Sequence, residues 1–337
     1  DMLEKLMRSN RGLPGCPKTK IDTATSFIEH LKKNAGKGRI PQLNGELYLE
    51  FHRGTYTSVA KVKRNNRKAE FKLQNTEWLS SLAESCCGLR YPKKTLDECW
   101  ETVLTNQFHD VLPGSAIPEV YADTDVDYAR VNGALDEICE QALGAISARV
   151  KTDKKYLVFN PNSFAADEVV QRPDGGFVLV QNIPPKGFFA SDLSAAPTSV
   201  YADLNTLENE YYRIELDENG DITRLYDKES EREILVAGGK GNVLEVHEDL
   251  PPSYLDNWDI KAYHGEKIWR MQLTGKEIVR QGNRNGIKLY KKFDKSTLVQ
   301  TIFMYDGVKR IDFETEADWQ NDHVCLKVDF PVELNVK

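Results

Sequence analysis

The spacing of hydrophobic residues predicts helices in the first half of the chain and strands in the second. One amphipathic helix is predicted over residues 22–31. Residues 45–51 alternate polar and apolar side chains, which is typical of a half-buried strand. Residues 56–150 are rich in helix-forming side chains, and no proline occurs from 56 to 91. These segments predict a small antiparallel bundle of three helices.

The second helix of this bundle carries signals for both of its ends. Thr95 and Glu98 have the spacing of a capping box, and Pro113-Gly114 is expected to end the helix. The apolar stripe between these signals is predicted to contain Leu96, Trp100, Val103, Leu104 and Phe108. A third helix is predicted after Pro118, with a buried face made of Val131, Leu135, Ile138, Ala142 and Ile146.

From Tyr156 onward, the hydrophobic pattern takes the period of two that is typical of strands. Residues 212–216 and 311–315 alternate apolar with polar side chains. Asn-Gly or Asp-Gly pairs, which favour hairpin turns, occur at 219–220, 285–286 and 306–307. This half is predicted to be a large antiparallel domain of the β-sandwich type. The predicted fold class is therefore multidomain α+β, with a three-helix bundle followed by a sandwich-like β-domain.

The composition excludes several classes of partner. The 337 residues are 40% hydrophobic and 29% charged, which is typical of a globular protein. The net charge of −7 argues against nucleic acid or an anionic membrane as a partner. No apolar run approaches the roughly 20 residues that a membrane helix needs. The six cysteines form no Cys-x-x-Cys pair and no glycosylation sequon occurs, so a reducing, cytoplasmic location is predicted.

The ends of the sequence predict a fragment. The chain starts at Asp1, and residues 329–337 have the pattern of a strand that is cut short. We therefore expect these 337 residues to be part of a longer protein.

His109 and Asp110 are the strongest candidates for chemistry. They are predicted to lie in the last turn of the second helix, turned away from its apolar stripe. A carboxylate is mildly unfavourable at a helix C-terminus, and a bound metal or a ligand donor would remove that penalty. Imidazole is a common zinc ligand, and a carboxylate can accept hydrogen bonds from sugar hydroxyls. The alternative is a surface His-Asp pair that only caps the helix.

Three ordered motifs resemble glycoside hydrolase family 38, the class II α-mannosidases. The first is Gln107-Phe108-His109-Asp110 followed by Pro113-Gly114-Ser115, the second is the segment 45–58, and the third is Trp258-Asp259-Ile260. The similarity extends from about Pro41 to the C-terminus and is strongest to the cytosolic and bacterial branch. An ordered set of motifs is much more specific than any single one.

The resemblance implies roles for four residues. His109 matches the zinc-ligand histidine of the family, and Asp110 matches the aspartate that contacts hydroxyls of the bound mannose. His52 stands where some relatives place an aromatic ring beside the sugar, with a histidine satisfied at a domain boundary as the alternative. Arg53 is expected either to bond a carboxylate of another domain or to be a solvated or structural arginine.

The resemblance also implies residues that this sequence does not supply. The zinc site of the family needs a His-x-Asp pair and a further aspartate, which is also the nucleophile. The only His-x-Asp here, His247-Glu248-Asp249, lacks the family context and is predicted to be a loop. We expect the catalytic domain to precede Asp1, with residues 1–50 as its C-terminal remnant, residues 51–153 as the helical middle domain and residues 154–337 as a truncated β-domain.

The function implied by the resemblance is zinc-dependent, retaining hydrolysis of terminal α-linked mannose in glycans. The fragment alone is expected to be inactive and not to hold zinc tightly, because catalytic zinc normally has three protein ligands. A homo-oligomer is an open alternative. The competing hypothesis is a non-catalytic carbohydrate-binding or scaffold protein that presents Trp258, Trp269 and Trp319 to sugars, although packing in the core or between domains would also account for these tryptophans.

Overall fold

The computed structural model describes residues 2–10, 14–15, 18, 20–35, 42–43, 52–194, 197–250, 257–260 and 262–334. The chain divides into two units, Asp1–Tyr48 and Leu49–Lys337. The described part of the first unit contains helices α1 (Met2–Ser9) and α2 (Ala24–Asn34). Helix α2 confirms the helix predicted over residues 22–31, and the strand predicted over residues 45–51 lies outside the described residues.

The second unit begins with the predicted helical bundle. A 3-10 turn at Gly54–Tyr56 precedes α3 (Ala60–Cys87), α4 (Lys93–Asn106) and α5 (Pro118–Ser147). Every residue predicted on the buried face of the third helix is buried. The core of the bundle joins all three helices through buried residues that include Leu73, Leu96, Val103, Val131 and Leu135. The three-helix bundle is therefore confirmed. None of the helices in the described part of the chain has the length and apolar character that a bilayer crossing would require.

Helix α4 starts earlier than predicted, and the prediction of a capping box at Thr95 and Glu98 is wrong. Pro92 is the N-cap, no side chain caps the helix, and the first helical hydrogen bond runs from the Leu96 amide to the Pro92 carbonyl at 3.1 Å. Thr95 is therefore the third helical residue, where its hydroxyl cannot serve the amides that an N-cap side chain would satisfy. The fixed φ of proline favours a helix start directly after Pro92.

Helix α4 also ends earlier than predicted, at Asn106 instead of Pro113-Gly114. The Gln107 side chain donates hydrogen bonds to Asn66 Oδ1 at 3.0 Å and Glu70 Oε1 at 2.9 Å, both on α3. These hydrogen bonds hold the chain against α3 at the point where the chain leaves α4. The apolar stripe was predicted only in part, because Leu96 and Val103 are buried but Leu104 and Phe108 are 57% and 58% exposed.

The β-domain contains mostly antiparallel hairpins. Its strands are β1 (Tyr156–Asn160), β2 (Ala166–Gln171), β3 (Phe177–Ile183), β4 (Gly187–Ser191), β5 (Tyr201–Ala202), β6 (Thr206–Glu208), β7 (Tyr212–Leu216), β8 (Ile222–Asp227), β9 (Arg232–Glu233), β10 (Val243–Glu248), β11 (Ile268–Arg270), β12 (Gln272–Gln281), β13 (Arg284–Phe293), β14 (Ser296–Tyr305), β15 (Val308–Asp318) and β16 (Val324–Asp329). A second 3-10 turn spans Ala262–Gly265.

The largest sheets have five strands, in the order β5-β6-β7-β8-β9, and four strands, in the order β12-β13-β14-β15. Their apolar faces share one core, which contains Leu207, Ile214 and Ile222 from the first sheet and Ile287, Leu289 and Ile302 from the second. A third sheet has the order β11-β10-β16. Two sheets with a common core confirm the sandwich-like β-domain.

Two of the three predicted hairpin turns are confirmed. Asn219-Gly220 connects β7 to β8, and Asp306-Gly307 connects β14 to β15, with positive φ only at the glycines. The turn predicted at Asn285-Gly286 is wrong, because both residues lie inside β13 and the chain turns at Gly282-Asn283 instead. A Cβ on Gly286 would lie 2.6 Å from Phe303 Cδ1, so close packing, and not a turn, requires this glycine.

His247 also departs from its prediction, since it lies in strand β10 and not in a loop. It is 6% exposed, and its ring nitrogens lie 3.1 Å from the His264 carbonyl oxygen and 3.2 Å from Glu245 Oε2. At this buried strand position, both ring nitrogens of His247 have a polar partner nearby.

Candidate functional site

His109 and Asp110 lie in a series of turns that follows α4, not in its last helical turn as predicted. The pair therefore does not experience the helix dipole in the way that was predicted. His109 Nε2 lies 3.2 Å from Asp110 Oδ2, and the side chains are 75% and 42% exposed. The imidazole also packs against the Phe108 ring, with 4.3 Å between centroids. The pair is accessible to a ligand, and Phe108 limits the orientation of the imidazole.

The close approach of the Asp110 carboxylate to Nε2 bears on which nitrogen of His109 could bind a metal. A neutral imidazole that donates from Nε2 to a carboxylate keeps its lone pair on Nδ1. A carboxylate on the opposite nitrogen orients a metal-bound histidine and raises its basicity. In the observed arrangement, the Asp110 carboxylate lies beside Nε2, so Nδ1 is the nitrogen that this arrangement would leave for a metal.

Asp110 is held from the other side by the segment that leads into α5. Asp110 Oδ1 accepts a hydrogen bond from Ser115 Oγ at 3.1 Å, and the Asp110 carbonyl accepts one from the Ser115 amide at 3.2 Å. The Tyr121 hydroxyl accepts a hydrogen bond from the Ala116 amide at 2.9 Å. Burial raises the pKa of Tyr121, the hydrogen bond from Ala116 lowers it, and the negative charge of Asp110 raises it further. Tyr121 therefore stays a neutral hydroxyl next to this turn.

Gly114 fixes the end of the turn against the segment that precedes α3. Its φ is +91°, and a Cβ there would lie 2.5 Å from the carbonyl oxygen of Ser58. The ammonium of Lys63 connects the same two segments, because it donates hydrogen bonds to the carbonyls of Ser58 and Leu112. Burial lowers the pKa of Lys63. Residues 112–114 therefore lie directly on Ser58.

Ser58 and Gly54 also contact the segment that carries the third motif. Its hydroxyl donates to the carbonyl of Asn257 at 2.9 Å, and the Gly54 amide donates to the carbonyl of Trp258 at 3.0 Å. The imidazole of His52 packs edge-on against the indole of Trp258, with ring centroids 4.9 Å apart. A Cβ on Gly54 would lie 3.0 Å from the Asp259 amide, so this contact needs a glycine.

Three motifs that are far apart in the sequence thus meet around Ser58. We call this group the Ser58 junction: residues 52–58, residues 107–115 and residues 257–259. His109, Asp110 and His52 all belong to it. Arg53 lies in it as a half-buried residue at the start of the 3-10 turn. Trp258 is half-buried in the junction, whereas Trp269 lies in β11 and Trp319 packs beside the core of the three-stranded sheet.

Three residues that hold the junction together, Gly114, Ser58 and Lys63, were not predicted as functional. Gly114 was predicted only as part of a helix stop, and no role was predicted for the side chains of Ser58 or Lys63. Their importance comes from contacts between distant segments, for which a single sequence contains no signal. The Gly54 contact had one available signal, since a glycine inside an extended polar segment often marks a close backbone approach.

The described residues fit one part of a zinc site and not a complete one. His109 offers an accessible imidazole with an adjacent carboxylate, which is a suitable donor set for Zn²⁺. In the part of the chain that the structure describes, no group of three or more His, Cys, Asp or Glu side chains could hold a metal ion. Catalytic zinc normally has three protein ligands.

Two family models match the chain. The model described as "Alpha mannosidase middle domain" matches residues 50–146, and the one described as "Glycosyl hydrolases family 38 C-terminal domain" matches residues 207–337. The first match covers the helical bundle and the His52 segment. The second covers most of the β-domain.

Curated relatives are similar along almost the whole chain. Alpha-mannosidase 2C1 of Mus musculus is 30% identical over 99% of this chain and 34% of its own length. The alpha-mannosidase of Saccharomyces cerevisiae is 27% identical over 99% of this chain and 32% of its own length. The chain therefore spans about a third of the length of these relatives.

Solved structures share the fold. A family 38 glycosyl hydrolase from Enterococcus faecalis superimposes with a TM-score of 0.69 at 16% identity, over 98% of this chain and 50% of that one. An alpha-mannosidase from the same organism gives a TM-score of 0.70 at 14% identity, again over 98% and 50%. At this identity, the similarity shows the order and packing of the elements and does not extend to individual side chains.

Proposed function

The chain belongs to glycoside hydrolase family 38, of which it carries the middle and C-terminal domains, and from this premise we propose an α-mannosidase activity for the whole protein. In this proposal, the whole protein is a zinc-dependent, retaining exo-α-mannosidase that removes terminal α-linked mannose from glycans. The proposal concerns the whole protein because the chain spans about a third of its curated relatives. A cytoplasmic location is part of the proposal and rests on the sequence.

The observation that carries the proposal is the Ser58 junction. The junction contains parts of the three motifs that resemble the family, residues 52–58, 107–115 and 258–259, and direct contacts hold these parts together. His109 is 75% exposed at this junction, although most of the polypeptide around it is packed. An exposed imidazole and carboxylate on a firmly held turn are suited to binding a ligand from outside this unit.

Each side chain has a distinct proposed role. His109 is one zinc ligand, and Asp110 orients its imidazole and accepts a hydrogen bond from a mannose hydroxyl. Ser115 keeps Asp110 in place for both tasks. His52 and Arg53 are weaker candidates for sugar contacts, because both are half-buried at the same junction.

Zinc, when bound, would polarise the hydroxyls of the mannose and favour distortion of its ring. A retaining mechanism needs a nucleophilic carboxylate and an acid/base carboxyl about 5–5.5 Å apart. We propose that these groups and the other zinc ligands come from the part of the protein that corresponds to the rest of the relatives. Without them, residues 1–337 alone should not hydrolyse an aryl α-mannoside.

The experiment is the turnover of an aryl α-mannoside by the whole protein and its His109→Ala variant. Loss of a zinc ligand should abolish activity, because binding and distortion of the sugar depend on the metal. His323→Asn is the matched control, since His323 is an exposed histidine outside the junction and asparagine tolerates its φ of 57°. The control should retain full turnover. Near-normal turnover by His109→Ala would refute the proposed role.

Asp110→Asn separates the two tasks of the carboxylate. An amide can still accept one hydrogen bond from a sugar but cannot act as a charged partner for the imidazole. We expect a large fall in kcat and weaker zinc retention, with the overall fold intact. Unchanged kcat and unchanged zinc retention would contradict the assigned role of Asp110.

A further inference from the structure

A cavity of about 920 Å³ opens in the β-domain and shares no residue with the Ser58 junction. Its lining comes from the loop between β7 and β8, from β11 with the start of β12, and from the end of β13. Small-molecule sites usually have volumes on the order of 300–1,000 Å³. The cavity is therefore large enough for an organic ligand, and neither the proposed hydrolysis nor the proposed zinc site uses it.

One wall of this cavity is the indole of Trp269. The residue is 41% exposed although it lies in a strand that pairs with β10. Its ring is supported by Phe293, another lining residue, with 6.0 Å between the ring centroids. An indole held on one side and open on the other offers a flat apolar surface beside polar groups.

The floor of the cavity is a tightly bonded polar network. Asp221 lies 3.0 Å from the ammonium of Lys291, and both side chains are almost fully buried. Asp217 accepts hydrogen bonds from the amides of Asn219 and Asp221, each at 2.9 Å, and from Lys240 at 2.7 Å. Burial raises the pKa of Asp217, but these hydrogen bonds outweigh the effect and lower it overall. This part of the lining therefore carries the ionised carboxylate of Asp217 in a fixed position.

The charges of the lining indicate the class of ligand. Four acidic and three basic side chains line the cavity, so neither a strongly charged anion nor a cation is favoured. Carboxylates, amides and cationic donors together match a ligand that both donates and accepts hydrogen bonds at many positions. A sugar ring has such hydroxyls on its edges and an apolar face that can lie on an indole.

We propose that this cavity binds a hexopyranose unit of a neutral glycan, with the sugar ring on Trp269 and its hydroxyls directed to Asp217, Asn219 and Arg270. This site is additional to the proposed active site. It does not depend on hydrolysis, so it can be correct even if the mannosidase proposal fails. Its role would be to hold a second part of a branched or extended glycan.

The test is saturation-transfer NMR of the full 337-residue chain with mannotriose, for the unchanged protein and for Trp269→Ala. Phe164→Ala is the matched control, because Phe164 is a 63% exposed aromatic residue outside the cavity. We expect affinity to fall by roughly two- to tenfold in Trp269→Ala, the range expected for loss of an aromatic contact, and to be unchanged in the control.

Two further variants keep the test valid if Trp269→Ala is unstable. Trp269→Phe keeps an aromatic surface and should retain part of the affinity. Gln272→Ala removes an exposed polar group of the lining and should weaken binding without affecting the fold. No mannotriose binding, equal affinity in Trp269→Ala, or equal binding of a neutral peptide would overturn the proposal. Binding that is lost only in Asp110→Ala would overturn this site and leave the mannosidase proposal intact.

Discussion

Gly114→Ala is the substitution that tests the Ser58 junction most closely. Gly114 has a φ of +91°, and an alanine Cβ would lie 2.5 Å from the Ser58 carbonyl oxygen and 2.8 Å from its carbonyl carbon. The left-handed conformation costs an L-residue roughly 1–2 kcal/mol. Overpacking against atoms that cannot rotate away adds roughly 1–3 kcal/mol. The expected loss in the free energy of unfolding is therefore roughly 2–5 kcal/mol.

Gly88→Ala is the matched control for this substitution. Gly88 ends α3 with a φ of +75°, and no atom lies within 4 Å of the position that its Cβ would take. The control therefore carries the conformational strain without the collision. Urea unfolding followed by far-UV circular dichroism measures both losses. The difference between them gives the contribution of the contact with Ser58.

A second readout connects the contact to the candidate site. The turn that carries His109 and Asp110 ends at Gly114, so displacement of Gly114 should change the NMR chemical shifts of the His109 ring. Gly88→Ala should leave these shifts unchanged. Equal losses of stability in both variants would refute the conclusion that Ser58 positions this turn. Unchanged chemical shifts of the His109 ring in Gly114→Ala would refute it as well.

The remaining predictions concern the cores of the two domains. Asp221→Asn leaves the Lys291 ammonium buried without its carboxylate and should destabilise the β-domain by about 3–5 kcal/mol in urea unfolding; a loss below about 1 kcal/mol would contradict it. Gly286→Ala brings a Cβ to 2.6 Å from Phe303 Cδ1 and should destabilise by about 1–3 kcal/mol, so an unchanged melting temperature would count against the packing described. Burial, and after it the negative charges nearby, raise the pKa of Tyr128 from 10.0 to about 12. As the pH rises, Tyr128 therefore ionises in the unfolded chain before it ionises in the folded chain. The stability of the fold should fall as the pH rises through this interval. Tyr128→Phe should reduce this alkaline loss, and unfolding curves with the same pH dependence in both proteins would show that Tyr128 is not its source.

The fold was predictable where local sequence signals agree with tertiary contacts. The face of α5 from Val131 to Ile146 was predicted because its helical period matches the stripe that the bundle buries. Asn219-Gly220 was predicted because Asn-Gly pairs favour hairpin turns, and the turn forms with a positive φ at the glycine only. Asn285-Gly286 carries the same local signal, but its glycine is required by the ring of Phe303 on the neighbouring strand. That contact was not accessible from one sequence.

The candidate site was predictable in its residues and not in its geometry. His109 and Asp110 were selected by their chemistry and by the resemblance of their flanking motif. Their location outside α4 was missed because the Gln107 side chain bonds Asn66 and Glu70, about 40 positions earlier in the chain. The roles proposed for His109 and Asp110 remain predictions, as do the domain boundaries at 50 and 153.

The zinc content of the whole protein tests the central claim most directly. Metal analysis should find one equivalent of zinc in the unchanged whole protein, and much less in its His109→Ala variant, because a ligand has been removed. Residues 1–337 alone should contain no stoichiometric zinc, since their described part holds no group of three ligands. A full equivalent of zinc in His109→Ala would contradict the account.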